Sequence, residues 1–498
     1  MGAAAEDAPV RRRSPVSPYL VFSVLLVALS GVLAYRQPWG GDFGLHAAVV
    51  EVLRADLLHP RDPMVTEIAD SPYFTPYTVV LGLIARVTGA SGLVVLAVAT
   101  PVVFAILLFG LGRFVRLFTP NRWAPILAVL TMFLLWGGIP PLWSGFLNFR
   151  GWPGTMPYPS TLAMGLTFLW WTVLWTALRR PAIGLWLGVG AAYGVIALIH
   201  QFTGVEAALG AIALAIGRAR TEVKPSRVAV AVGTAALVLL AWPYYSVVEV
   251  MTSVAELDAI HRHLYVDLWQ IYAIPLALCL PALVIRARRA WTDPLVWMVL
   301  LGGLVVAAGG LTGHWALGRA WPLVMISAQV ALAIEVCAAI SWAWTRRAVG
   351  VAVVTAIWLG LTVTAAVNGW QSQYNEVRVA PVDVRQAYTE RLGWIGQHIT
   401  PGDVLVTDNN WRARELLAWG TANVAPPWPD PTLPSLEQRR RDLAELTAPA
   451  TPIARRRALL AEYQVRWILD TRSTWTWADS LALEIIDGPG RQRLIRLA

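Results

Sequence analysis

The stretch PYLVFSVLLVALSGVLAYRQPWGGDFGLH, residues 18–46, joins an uncharged apolar run to a short glycine-rich segment. The run from Pro18 to Tyr35 is long enough to cross the hydrocarbon core of a membrane, which is about 30 Å thick. Similar runs recur through the first three quarters of the chain, and its 498 residues are 56% hydrophobic and only 14% charged. Soluble globular proteins do not have such a composition. The sequence therefore predicts an α-helical protein that crosses a membrane several times.

The first apolar run begins after Arg11, Arg12 and Arg13, and no small-residue cleavage site follows it. We therefore predict a retained first helix rather than a removed signal peptide. We predict about eleven transmembrane helices in all. Their approximate limits are 18–35, 92–112, 123–142, 157–178, 181–199, 203–217, 228–245, 266–285, 293–311, 320–343 and 348–368.

Basic residues orient these helices, because loops rich in arginine and lysine stay on the cytoplasmic side. With this set of spans, the basic clusters all fall on one side of the membrane. The clusters lie at 11–13, 113–122, 179–180, 218–227, 286–289 and 346–347. We predict a multi-pass protein of the cell membrane with a cytoplasmic N-terminus and an extracytoplasmic C-terminal part. The net charge of +9 follows from this pattern and does not indicate a nucleic-acid partner.

Residues 73–90 are also apolar, but counting them as a span would invert every later basic loop. The segment begins with Tyr73, Phe74 and Tyr77, and aromatic residues of this kind favour the boundary between membrane and water. We predict an interfacial helix on the outer surface. It belongs to a long first outer loop, residues 36–91.

The composition becomes polar after residue 368, which divides the chain into a membrane domain (1–368) and an extracytoplasmic domain (369–498). Short β-branched runs predict strands at 403–408 and 465–470 and a third at 493–497. Helices are predicted at about 383–398, 437–446 and 453–463. The second domain is therefore a small α/β unit. Five prolines between Pro426 and Pro434 predict a rigid surface loop.

The first outer loop places a carboxylate, Asp42, four residues before an imidazole, His46, at the start of an amphipathic segment. At this spacing both side chains fall on one helical face. A carboxylate and an imidazole close to the end of a transmembrane helix suggest acid–base chemistry on a substrate that is carried by a lipid. The alternative is that Asp42 only caps the helix. The other polar residues of the loop are predicted to be mostly solvated, namely Glu51, Asp56, His59, Asp62, Glu67 and Asp70.

This layout resembles the GT-C superfamily of membrane glycosyltransferases, such as protein O-mannosyltransferases, aminoarabinose transferases and actinobacterial arabinosyltransferases. The resemblance rests on the Gly41-Asp42 motif with His46, the long first outer loop, a helix that leads into Gly89-Ala90-Ser91-Gly92, and the outer C-terminal domain. It covers most of the chain in plan. The resemblance implies that Asp42 lies at the catalytic centre and that the donor is a sugar on a polyprenyl phosphate.

Such a transfer needs a base for the acceptor hydroxyl and positive charge at the departing phosphate. We predict Asp42 as the base. Arg319, in a segment at the outer end of a span, is the first candidate for the donor phosphate, with His314 and Arg150 beside it. The alternative role for Arg319 is an interfacial anchor that ends the helix.

His46, His200, Gln201 and Glu206 are further site candidates, since each lies in the first loop or near the outer end of a span. Many family members carry two adjacent acids in the first loop, whereas Asp42 lies between Gly41 and Phe43. No metal ligand is therefore assigned, and no cofactor is certain, although a divalent cation stays open.

The predicted function is an inverting glycosyl transfer from a polyprenyl-phosphate donor to an extracytoplasmic glycan, lipid or protein of the cell envelope. The protein would be an enzyme whose partners are this donor, the acceptor and membrane lipids. A transporter or lipid flippase of envelope intermediates is the first alternative, but it predicts two halves broken at corresponding positions, and the sequence shows no such symmetry. A non-catalytic scaffold, in which Asp42 is replaceable, is the second.

Overall fold

A computed structural model describes residues 17–36, 39, 41–137, 143–149, 151–218, 224–252, 255–346, 355–356, 358–365, 367 and 388–497. This part of the chain is mostly helical and carries one five-stranded sheet near its C-terminal end. The prediction of a mostly helical chain with a small α/β unit is therefore confirmed.

The helices up to residue 346 vary widely in length. They are α1 (Pro18–Tyr35), α2 (Phe43–Ala55), α3 (Pro76–Thr88), α4 (Gly92–Val115), α5 (Ala124–Leu134), α6 (Trp152–Thr155), α7 (Pro159–Ala177), α8 (Ile183–Ile199), α9 (Gln201–Gly217), α10 (Pro225–Leu240), α11 (Val247–Thr252), α12 (Ala255–His261), α13 (Ile274–Arg289), α14 (Pro294–Thr312) and α15 (Trp321–Arg346).

Five helical segments of the described chain are long and apolar enough to cross a membrane, by length and composition alone. They are Pro18–Tyr35, Gly92–Val115, Trp269–Arg289, Pro294–Thr312 and Trp315–Ala343. Other apolar helices, among them α5, α8, α9 and α10, have 10–17 residues. The number of spans therefore stays a prediction, and the predicted span at 348–368 lies partly outside the described residues.

Helices α2 and α3 form the ordered part of the first outer loop. Thr75 starts α3 with a reciprocal capping box to Thr78, and Gly89 ends it at a φ of 72°. The two helices pack closely, because a Cβ at Gly82 would lie 2.4 Å from Cβ of Leu53. With 13 residues, α3 rises about 20 Å and is too short to cross the hydrocarbon core.

The C-terminal unit has strands β1 (Val404–Thr407), β2 (Ala422–Asn423), β3 (Val465–Asp470), β4 (Ala482–Asp487) and β5 (Arg493–Leu497) in the order β2-β1-β3-β5-β4. Strand β1 is parallel to β2 and β3, and β5 is antiparallel to β3 and β4. The helices are α16 (Tyr388–Gly396), α17 (Asn410–Leu416), α18 (Leu436–Thr447) and α19 (Ile453–Glu462). The three predicted strands are confirmed, whereas β2, β4 and α17 are missing from the sequence prediction.

The proline-rich segment 426–434 packs between the C-terminal unit and the first outer loop. Ser71 donates a hydrogen bond of 2.5 Å to Asp430, and Thr432 donates one of 2.8 Å to the carbonyl of Asp70. Asp430 and Leu433 are buried. The prediction of a surface loop is therefore wrong for the buried residues of this segment, because the first outer loop packs against them.

Asp62, predicted to be solvated, is also fully buried at this junction. Its carboxylate accepts hydrogen bonds from the backbone N–H groups of Met64 (2.7 Å) and Val65 (2.9 Å). Burial and the neighbouring Asp430 raise the pKa of Asp62. The solvated prediction fails here because the carboxylate orders its own loop where the loop meets the C-terminal unit.

A second polar group lies between α13, α14 and α15. Arg286 donates to Asp293 at 2.7 and 3.1 Å and to Glu335 at 3.3 Å. Arg289 reaches Glu335 at 2.8 Å. We call these four residues the inner cluster. In this cluster the buried carboxylate of Glu335 is paired with two arginines.

Candidate active site

Asp42 lies directly before α2, at the N-cap position, but its side chain makes no capping hydrogen bond. Gly41, with a φ of 64°, turns the chain into the helix through a conformation that favours glycine. The Asp42 carboxylate instead accepts a hydrogen bond of 3.1 Å from Nη1 of Arg414. One third (33%) of its side chain is accessible. Capping alone therefore does not explain the position of this carboxylate.

Arg414 belongs to α17 of the C-terminal unit, and sequence reasoning missed it. Asn409 caps α17 by accepting from the N–H groups of Trp411 and Arg412, and the helix follows β1 directly. The guanidinium of Arg414 lies 3.9 Å from the ring centroid of Trp428 and 4.7 Å from that of Trp411. The only signal in the sequence is an arginine shortly after the end of a predicted strand.

Burial raises the pKa of Asp42, while the positive charges of Arg414 and then Arg319 oppose the rise. The carboxylate is therefore partly buried and lies near two cations. His46, one turn into α2, packs its ring 4.3 Å from that of Tyr158. Burial lowers the pKa of His46 to about 4, so its imidazole is neutral near pH 7.

Arg319 lies in the short 3-10 helix Trp315–Ala320 and is only 6% exposed. Its Nη2 is 3.4 Å from Nε2 of His200, and its guanidinium lies 4.8 Å from the centroid of the Phe202 ring. His200 connects α8 to α9, and its Nδ1 lies 2.8 Å from the hydroxyl of Thr203. Burial, Arg319 and His46 lower the pKa of His200, which keeps this imidazole neutral.

Glu206 is buried in α9 and interacts electrostatically with Arg319. The structure thus brings five predicted residues into one neighbourhood, which we call the outer cluster. It consists of Asp42, His46, His200, Glu206 and Arg319, completed by Arg414.

The remaining candidate residues do not belong to the outer cluster or lie outside the described residues. His314 pairs with Asp258 at 3.3 Å, and 69% of its side chain is exposed. Gln201 donates to the hydroxyl of Tyr245 at 3.0 Å, which braces the start of α9. Arg150 lies outside the described residues. Within the described ranges, no group of three or more His, Cys, Asp or Glu side chains is arranged to hold a metal ion.

The arrangement of these helices, the first loop and the small sheet is similar to that of several solved structures. The structure is similar to ArnT from Cupriavidus metallidurans bound to undecaprenyl phosphate, with a TM-score of 0.56 and 15% identity over 96% of this chain and 98% of that one. The apo state of the same ArnT gives a TM-score of 0.54 and 13% identity over 97% of this chain and 98% of that one. A mutant of the arabinofuranosyltransferase AftD from Mycobacteria gives a TM-score of 0.51 and 13% identity over 91% of this chain and 36% of that one.

No protein-family model matches the sequence, and no curated protein does either. The fold that the resemblance implied is nevertheless confirmed, because the likeness extends over nearly the whole chain.

Proposed function

We propose that this protein is an inverting membrane glycosyltransferase that moves a sugar from a polyprenyl-phosphate donor to a cell-envelope acceptor outside the membrane. The observation that carries the proposal is the Asp42 carboxylate, which leaves the cap of α2 and lies accessible beside two arginines in a GT-C fold. ArnT, which shares the fold, is bound to undecaprenyl phosphate. The fold supports transfer over the transporter alternative.

In the proposed reaction, the Asp42 carboxylate takes the proton of an acceptor hydroxyl while that oxygen bonds to the anomeric carbon of the donor sugar. The bond from this carbon to the phosphate oxygen breaks, and its electron pair leaves with the polyprenyl phosphate. The guanidinium of Arg319 stabilises the charge that develops on the phosphate. The neutral imidazole of His200 lies beside that guanidinium and can hold its orientation.

The proposed membrane arrangement is supported by the distribution of basic residues along the chain. The N-terminus lies in the cytoplasm, about eleven helices cross the membrane, and residues 369–498 form a separate domain outside it. The first loop and the C-terminal unit are hydrogen-bonded to each other, which supports placing both on the same side of the membrane. The length of α3 suits an interfacial position.

The experiment is sugar transfer in membranes of a strain that lacks this protein, complemented with wild type, Asp42→Asn or Asp56→Asn. Radiolabelled polyprenyl-phosphate sugars are supplied, and the label is followed into envelope glycan and lipid. Asp56 is a matched control, because it lies in the same loop and only accepts backbone hydrogen bonds from Leu58 and His59.

We expect Asp42→Asn to lower transfer by about 10²–10⁴-fold, the usual contribution of a general base. Asp56→Asn should transfer as wild type does. Equal transfer by wild type and a folded Asp42→Asn would remove Asp42 from the chemistry. Absence of transfer by wild type from every donor would overturn the proposed function itself.

A further inference from the structure

The residue that contacts Asp42 most directly comes from the far end of the chain. Arg414 and Asp42 are 372 residues apart, and one belongs to the C-terminal unit while the other begins the first helix of the outer loop. The start of α2 and α17 also approach each other closely elsewhere, because a Cβ at Gly41 would lie 3.9 Å from the indole of Trp411. The contact is therefore part of a packed junction.

The Arg414 guanidinium is held on several sides. It lies against the rings of Trp428 and Trp411, and its Nε donates 3.2 Å to the carbonyl of Pro427. Only 9% of the side chain is exposed. Stacking and the Nε–H hydrogen bond restrict the orientation of this guanidinium, and one Nη1–H donates to the Asp42 carboxylate.

Asp42 has other neighbours, and only some of them favour the ionised form of its carboxylate. Arg319 is a second cation, whereas Tyr73 and Tyr158 are neutral phenols that interact with its charge, and His46 is a neutral imidazole. Burial disfavours the carboxylate, and Arg414 is the strongest of the groups that favour it. The ion pair engages Oδ1 of Asp42, and the Asp42 side chain makes no capping hydrogen bond to α2.

We propose that Arg414 is a positioning residue for the transfer reaction: it holds the Asp42 carboxylate away from the end of α2 and in its ionised form. This inference rests on the proposed function. It means that the C-terminal unit completes the active site of the membrane domain, in addition to any role in acceptor binding.

The test measures transfer by the purified full chain between pH 5 and 9 for wild type, Arg414→Gln, Arg414→Lys, Arg412→Gln and Arg439→Gln. Arg412 is the matched control on the same helix, since it pairs with Glu415 at 2.5 Å. Arg439 is a control for the junction, because it binds Glu67 of the first loop at 3.3 Å without contacting Asp42. Thermal unfolding is recorded for each variant.

For Arg414→Gln we expect the acid limb of the pH profile to move upward by about 1–3 pH units, because a neighbouring arginine lowers the pKa of an aspartate by that much. In Arg414→Lys the acid limb should return to its wild-type pH, because the positive charge is restored. The maximal rate should stay below that of wild type, since an ammonium cannot reproduce the stacked, directed geometry of the guanidinium. Arg412→Gln should match wild type. Arg439→Gln should lower the melting temperature and leave the limb in place.

An unchanged acid limb and plateau in Arg414→Gln, with wild type active, would overturn this inference alone. If Arg414→Gln does not fold, Arg414→Lys decides: an acid limb at the wild-type pH with a reduced plateau supports positioning, and a profile identical to wild type contradicts it. Inactive wild type would instead indicate failure of the proposed function.

Discussion

The outer and inner clusters both contain buried charged side chains, but they differ in how completely their polar atoms are paired. In the inner cluster, Arg286 bonds to both acids and Arg289 adds a further contact to Glu335. In the outer cluster, three buried atoms have no hydrogen-bond partner among the described residues. They are Nδ1 of His46, Oε2 of Glu206 and Nε of Arg319.

This difference separates structural support from a binding site. Leaving a buried donor or acceptor unpaired costs about 1–3 kcal/mol, so several such atoms together destabilise the protein unless a ligand satisfies them. A phosphate brings acceptor oxygens for a guanidinium, and an acceptor sugar brings hydroxyl groups. The outer cluster therefore has the polar groups of a ligand site, and the inner cluster has the pairing of a structural brace.

The largest effect within this comparison is expected for Arg319→Gln in the outer cluster. Removing the cation should lower transfer by about 10²–10³-fold, the range measured when one group that stabilises developing charge is lost. The melting temperature should fall as well, because Arg319 neighbours the buried Glu206 and the Phe202 ring, so transfer is compared per folded molecule. Initial rates and melting temperatures on the same preparation check this. A rate within threefold of wild type would contradict the assigned role.

The effect expected for Arg286→Leu in the inner cluster is of intermediate size and falls on stability rather than on transfer. Removing one partner of a buried ion pair typically costs about 3–5 kcal/mol of stability. Transfer per folded molecule should stay near wild type. Arg288→Leu, two residues further along α13, is the control for loss of a basic residue from this helix end. Loss of transfer in Arg286→Leu without loss of stability would show that the two clusters are coupled.

The smallest effect is expected for His314→Gln. This histidine is exposed and pairs with Asp258 rather than with the outer cluster. Transfer should change less than about twofold, because surface pairs contribute little. A loss as large as that of Arg319→Gln would restore His314 to the phosphate site and indicate that the segment 314–319 moves when donor binds.

Much of the site follows from residue type and position along the chain. Asp42, His200, Glu206 and Arg319 each lie near the outer end of an apolar run, and the fold brings these ends together. Arg414 does not follow, because in sequence it resembles Arg412, two residues earlier. Only the tertiary structure distinguishes the arginine that binds Asp42 from the one that binds Glu415.

The fold shows the same limit. Long apolar runs and alternating strands are local patterns, so the main helices and β1, β3 and β5 could be predicted. Strand β2 has two residues and exists only because β1 lies beside it. The burial of Asp62 depends on its junction with the C-terminal unit, which no local pattern reveals.

The junction between the first loop and the C-terminal unit also has a consequence for biogenesis. The N–H of Asn423 donates to the carbonyl of Met64 at 2.7 Å, and Glu67 bonds to Ser435 and Arg439. During synthesis the loop emerges first, and more than 350 further residues must be translated before its partners in the C-terminal unit exist. Because Arg414 is among these late partners, a chain that ends before α17 lacks the side chain that we propose positions Asp42.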